Sequence, residues 1–236
     1  VVITGGASGI GAEMVRQFAA QRAVVTFLDI DDAAAEGVVG ETGATFVHCD
    51  LTDIAALRAA LAAAEAACPV EVLVNNAARD DRHAVESVEP EGWRRTLALN
   101  LDHQFFGAQA VAPGMAARGR GSIIMMGSVS WMRARGGMVG YTTAKAAING
   151  LTRTLANEWG AAGVRVNCIV PGAVLTPRQA ALWRSPEIDA NIQKTQSLKI
   201  VLKPAHVAAM AVFLGSDEAA GCTGQNFVVD AGISLG

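Results

Sequence analysis

The stretch "VVITGGASGIGAEMV", Val1 to Val15, passes from an apolar run through a glycine-rich turn into a helical pattern. Its glycines fall as G-x-x-x-G-x-G at Gly5, Gly9 and Gly11. Glycine lets a backbone turn tightly and meet a ligand without a Cβ between them. A helix opening directly behind the turn offers free N–H groups and a positive dipole end, which suits a pyrophosphate. Gly5, Ser8, Gly9, Ile10 and Gly11 are therefore candidates for a dinucleotide site, with Ser8 adding a hydroxyl. A glycine turn alone is weak evidence, and context strengthens it. A second β-rich run ends at Asp29, 18 residues past Gly11. At about this spacing an acid accepts hydrogen bonds from an adenosine ribose. Ile30 follows it in the same candidate set. A carboxylate there repels a 2′-phosphate. No Arg or Lys sits in the glycine turn or just after Asp29, and Asp31 and Asp32 follow instead. The expected cofactor is NAD rather than NADP. The plainer reading is that Asp29 only caps a turn.

The same alternation runs through the chain. "VVIT", "AVVTFLD", "TFVHCD", "EVLVNNA", "GSIIMMGS", "VRVNCIVPG" and "QNFVVDAG" are apolar runs of the kind buried on both faces of a sheet. Between several of them lie stretches with apolar residues at helical spacing, such as "DIAALRAALAAAEAA" and "YTTAKAAINGLTRTLANEWG". Strand–helix alternation predicts an α/β fold: one Rossmann-type domain over 1–236, with a doubly wound parallel sheet of about seven strands and helices on both faces. The stretch from about 176 to 204 reads as a longer irregular region, placed to act as a substrate lid.

Composition narrows the function. The chain has 236 residues and a net charge of -3, with Lys and Arg scattered, so no face is expected to bind nucleic acid. No apolar run is long enough to span a bilayer. The four cysteines form no C-x-x-C pair and fit a reducing, cytoplasmic setting. No histidine carries a partner pattern for a metal.

"YTTAK" holds the chain's one tyrosine, Tyr141, with Lys145 four residues on. On a helix the two share a face. Ser128 lies thirteen residues earlier, in the "GSVS" that ends a buried strand. A free phenol titrates near 10, and bringing it to neutrality takes roughly 4 kcal/mol. A partly desolvated ammonium nearby and a positive nicotinamide ring are expected to supply that bias. The phenolate then takes a proton from an alcohol as hydride leaves the carbon, and Ser128 holds the same oxygen.

Together "TGGASGIG", Asp29, "CDLTD", "NNAA", "LALNL", Ser128, "YTTAK" and "VPGAVLT" resemble the classical short-chain dehydrogenase/reductase family, in order and over essentially the whole chain. The resemblance implies a catalytic set of Asn100, Ser128, Tyr141 and Lys145. In it Lys145 lowers the tyrosine pKa and holds the nicotinamide ribose. Asn100 kinks its helix and carries a water that relays protons. It also implies that Asp50 and Leu51 contact adenine, and that Asn76, Ala77 and Ala78 run past the middle of the cofactor. Pro171, Gly172, Val174 and Thr176 then hold the nicotinamide amide. Ala78 stands where the family commonly has glycine, so a local change in the substrate pocket is expected. Members are usually homotetramers.

Three stretches bear on the substrate. "NNAARDDRH", "GSVSWM" and "TPRQAALW" bring charged, amide and tryptophan side chains near the expected site. Hydroxyls need hydrogen-bond partners, and a sugar's C–H face packs on an aromatic ring. Arg79, Ser130, Trp131 and Arg178 are the candidates, with Ser128 and Tyr141. The stretches also resemble those of bacterial aldose 1-dehydrogenases, which implies oxidation of a sugar at C1 to a lactone. The rival readings are a 3-oxoacyl thioester reductase or general alcohol dehydrogenase on the same scaffold, and more remotely a non-catalytic dinucleotide sensor.

Overall fold

Seven parallel strands form one sheet in the order β3-β2-β1-β4-β5-β6-β7 in the computed structural model, which describes residues 1–234. Leu235 and Gly236, the end of the expected domain, lie outside the described residues. The elements follow as β1 (Val2–Thr4), α1 (Gly9–Ala20), β2 (Thr26–Asp29), α2 (Asp32–Thr42), β3 (Thr45–His48), α3 (Ile54–Ala67) and β4 (Val72–Asn75). Then come α4 (Pro90–Leu97), α5 (His103–Ala117), β5 (Gly121–Met126), α6 (Val139–Gly160) and β6 (Val164–Pro171). The chain ends with α7 (Pro177–Trp183), α8 (Pro186–Thr195), α9 (Pro204–Gly215) and β7 (Asn226–Val229). All seven apolar runs are strands, as expected.

Successive strand residues serve opposite faces, and the core divides accordingly. Leu73, Ile123, Met125, Val166 and Cys168 pack with Leu57, Leu61, Val111, Met115 and Ile148 on one side. Val72, Val74, Ile124, Met126 and Ile169 pack with Met14, Val15, Phe18, Val207 and Leu214 on the other. The sheet order reverses between β1 and β4, which opens a crevice at the carboxyl ends of the strands.

The stretch from 176 to 204 is largely helical, against the expectation of an irregular lid. Thr176 caps α7 by accepting the Gln179 N–H at 3.2 Å, with Pro177 next. Ser185 caps α8 by accepting the Ile188 N–H at 3.3 Å, with Pro186 next. A hydroxyl cap followed by proline is a strong helix start. The excursion closes at its neck, where the Leu175 N–H donates to the Leu202 carbonyl at 2.8 Å. Helix α2 is likewise set by its ends: Asp31 accepts from Ala34, and Gly43 turns into the left-handed region at φ 68°.

Candidate active site

The crevice is a cavity of about 580 Å³. Strand order lays out its walls. Asp29 ends β2 and Ile30 follows it, Asp50 and Leu51 follow β3, and Gly5, Ser8, Gly9, Ile10 and Gly11 follow β1. Asn76, Ala77 and Ala78 follow β4, Ser128 follows β5, and Pro171, Gly172, Val174 and Thr176 close the far side.

The glycine turn is made by close contact. Gly5 has φ +67°, and a Cβ there falls 2.8 Å from the Ala77 Cα; a Cβ on Gly11 overlaps the Gly5 carbonyl. The Asn76 amide nitrogen donates to the carbonyls of Thr4 at 3.0 Å and Gly5 at 3.1 Å, joining this turn to the end of β4. Asp29 ties the end of β2 to the glycine turn. One oxygen accepts the Ala7 N–H at 2.9 Å, and the other accepts the N–H groups of Ile30 at 2.8 Å and Asp31 at 3.2 Å. An ionised carboxylate has about four acceptor positions, so roughly one is left for a ligand hydroxyl. These residues fit a dinucleotide: a turn without side chains, a helix N-terminus behind it, and a carboxylate with a spare acceptor.

Tyr141 and Lys145 lie one turn apart on α6, as their spacing predicts. The Lys145 Nζ is buried, donates to the Met126 carbonyl at 2.8 Å and lies 5.6 Å from the Tyr141 ring centroid. Burial pushes the Lys145 ammonium down to about 8, against a smaller upward pull from Cys168. Burial pushes the Tyr141 phenol up to about 12, and the neighbouring Ser128 hydroxyl pulls the other way. This departs from the expectation of a lowered phenol. In the chain alone desolvation of the phenolate outweighs its neighbours.

Asn100 does not line the cavity. It is buried in a π-helical turn, Ala98–Asp102, which joins α4 to α5. Its amide nitrogen donates to the carbonyls of Thr96 at 3.0 Å and Arg79 at 3.1 Å, and its oxygen accepts the Arg79 N–H at 2.9 Å. Asn100 thereby fixes the backbone of the loop after β4.

Of the substrate candidates, Arg79, Ser130 and Arg178 line the cavity; Trp131 does not. The charged loop is held by ion pairs of Asp81 with Arg79 and Arg178, both at 3.0 Å, and by a 2.8 Å bond from Gln179 to Asp80. Arg82, from the charged stretch "NNAARDDRH" singled out in the sequence, lines the cavity too, and so do Arg133, Arg135 and Arg184, which the sequence reading missed. The arginines of "WMRARGG", so close behind Ser128, were the available signal. It also missed Gln104, which braces Met126. Among the described residues no group of three or more His, Cys, Asp or Glu is placed to hold a metal, and no helix is long and apolar enough to cross a membrane.

A family model described as enoyl-(acyl carrier protein) reductase matches residues 5–234. A D-xylose 1-dehydrogenase from Caulobacter vibrioides is 45% identical, over 98% of this chain and 94% of its own length. A protein described as "Probable galactose dehydrogenase" from Rhizobium meliloti is 44% identical, over 99% and 94%. A solved short-chain dehydrogenase/reductase from Mycobacterium ulcerans superposes with a TM-score of 0.94 at 29% identity, over 99% and 89%. The chain belongs to the short-chain dehydrogenase/reductase family. As a member it is an NAD(P)-dependent oxidoreductase, and the cavity is where that chemistry is sought. Ala78 stands exposed on the cavity wall.

Proposed function

We infer that this short-chain dehydrogenase oxidises C1 of an aldose to the lactone, with NAD as oxidant. One observation carries the reading. Tyr141, Ser128 and a tethered Lys145 share one cavity with the glycine turn and Asp29. The similarity to xylose and galactose dehydrogenases supports the sugar class.

Each residue has a role in this reading. Tyr141 takes the proton of the C1 hydroxyl, and Ser128 hydrogen-bonds the same oxygen. Lys145, anchored on Met126, lends its charge to the phenolate and reaches the ribose. Asn100 steadies Arg79 beside the substrate. The glycine turn with Ser8 and Ile10 holds the pyrophosphate. Asp29 and Ile30 hold the adenosine ribose, and Asp50 and Leu51 flank the adenine. Asn76, Ala77 and Ala78 border the middle of the cleft. Pro171, Gly172, Val174 and Thr176 border the nicotinamide. When bound, oxidised NAD accepts the hydride from C1 and its ring charge favours the phenolate.

The preference for NAD rests on charge. Asp29 keeps about one acceptor for a ribose hydroxyl, and the cationic side chains lining the cavity come from the loops after β4 and β5, from α6 and from the α7–α8 segment. None follows β2 or β3, where a 2′-phosphate is expected to lie. Exposed apolar side chains on α9 and β7, Phe213 at 39% and Val228 at 42%, support a homotetramer, and the uncrosslinked cysteines support the cytoplasm.

The test is appearance of reduced cofactor from NAD, and separately NADP, with D-galactose, D-xylose, L-arabinose, L-rhamnose, L-fucose and D-glucose, and simple secondary alcohols as controls. Turnover of at least one sugar with NAD is expected. Silence on every sugar while NAD still binds overturns the aldose reading.

A further inference from the structure

We propose that the cavity continues into an anion-binding arm, so that the preferred substrate is an aldose with a carboxylate or phosphate at the end away from C1. This rests on the aldose reading and narrows it.

A second cavity of about 270 Å³ adjoins the first, and the two share Arg82, Arg133, Arg135, Trp183, Ile188 and Ile192 in their walls. Three arginines thus stand at the boundary between the cavity that holds Tyr141 and this second chamber. Among the described residues none of the three has a carboxylate within 4.0 Å, whereas Arg79, Arg178 and Arg184 are all paired. The carboxylates of Asp80 and Asp81, which the mouth offers as partners, are engaged by Arg79, Arg178 and Gln179. The acidic side chain in the arm's own wall is Glu187, on the first turn of α8.

These arginines are carried on tied loops. The Arg133 N–H donates to the Val129 carbonyl at 3.1 Å, and the Arg135 N–H to the Ser130 carbonyl at 3.0 Å. Ala134 between them adopts φ 49°, a left-handed conformation uncommon for alanine and found where a surrounding structure imposes it. The loop carrying Arg82 is joined to the same segment by the His83 N–H to the Gly137 carbonyl, 2.9 Å. Arg82 lies over the Trp183 ring, 4.1 Å from its centroid, which fixes the guanidinium and leaves an aromatic wall beside it. Burial lowers the Arg82 pKa, repulsion from Arg135 lowers it further, and the Asp80 carboxylate pulls the other way. A neutral pentose or hexose leaves that repulsion in place. A carboxylate or phosphate relieves it through charge-assisted, two-pronged hydrogen bonds that the guanidinium fork matches.

The reaction is unchanged. The C1–H electron pair leaves as hydride, the C1–OH proton goes to Tyr141, the ring carbon becomes the lactone carbonyl, and the anionic group is untouched.

The test compares kcat/KM for D-galactose, D-galacturonate and D-glucose 6-phosphate in the wild type and in Arg133→Ala/Arg135→Ala, with NAD affinity as a check on folding. At least about a tenfold preference for one anionic sugar over the neutral one is expected, and which anion is favoured tells carboxylate from phosphate. In the double variant the anionic-to-neutral ratio falls by at least about tenfold, and Arg133→Lys/Arg135→Lys restores part of it. Turnover of galactose with no preference for either anion overturns the arm and leaves the aldose reading standing. No turnover of any of the three, with NAD bound, overturns the arm, and silence on the full neutral panel as well overturns the aldose reading.

Discussion

Gln104 and Met126 exchange two hydrogen bonds: the Gln104 Nε2 donates to the Met126 carbonyl at 3.2 Å, and the Met126 N–H donates to the Gln104 Oε1 at 3.1 Å. The same carbonyl accepts the Lys145 Nζ at 2.8 Å. A side chain on α5 therefore fixes the strand end on which the lysine rests. Gln104→Leu leaves the buried Met126 N–H without a partner, at about 1–3 kcal/mol. The expected result is a melting temperature several degrees lower, with kcat reduced more than KM is raised. A variant that melts and turns over like the wild type removes this role.

Tyr141→Phe keeps the ring and removes the proton acceptor. Turnover is expected to fall roughly 100-fold to 10,000-fold, the scale of a general base, with NAD affinity retained. Stopped-flow and equilibrium fluorescence together separate the two quantities. Activity within a few fold of wild type takes the base away from Tyr141.

Asp29→Ser removes the charge expected to meet a 2′-phosphate. The ratio of kcat/KM with NADP to that with NAD should rise at least about tenfold, or ~1.4 kcal/mol. An unchanged ratio places cofactor selection elsewhere.

The phenol can be watched directly, because Tyr141 is the chain's one tyrosine. Held at about 12 by burial, it should show almost no tyrosinate absorbance at about pH 10, where a free tyrosine is half ionised. Adding NAD should move the titration downward. A half-ionised phenol at about pH 10 in the folded, cofactor-free chain contradicts the burial argument.

Much of this was readable from residues alone, for identifiable reasons. Parallel strands are buried on both faces, so "VLVN" and "GSIIMM" announce themselves by composition. Tyr141 and Lys145 are four apart on a helix, so their shared face follows from its period. Other features depend on contacts that periodicity does not encode. Thr176–Pro177 and Ser185–Pro186 are helix starts that a polar composition concealed. Trp131 was expected at the substrate, yet the turn after β5 carries it off the cavity wall while bringing Arg133 and Arg135 onto it. The left-handed Ala134 in that turn has no mark in the sequence. The "YTTAK" pair showed which groups meet but not the depth of burial that sets their titration.

That burial has a consequence for stability. Lys145 titrates at about 8 in the folded chain against 10.5 when free. Between these values the unfolded chain binds more protons, so the lysine's contribution to stability rises with pH from about 8 toward 10.5. Below the lower value both states hold the proton and the cost of burying the charge is fully present. Tyr141 acts in the opposite sense from about 10 upward, where the folded state retains its proton longer. Burial also holds the Cys168 thiol up at about 12 against 9.0 when free, which opposes the lysine from about 9 upward, so the lysine's effect stands clear of both between about pH 8 and pH 9. Lys145→Met removes the titrating group while keeping its length and burial. Urea unfolding of both proteins across this window should show the wild type gaining on the variant as pH rises. A constant difference would mean that the ammonium is solvated or paired in the folded chain, and the coupling of Lys145 to Tyr141 would then need another source than burial.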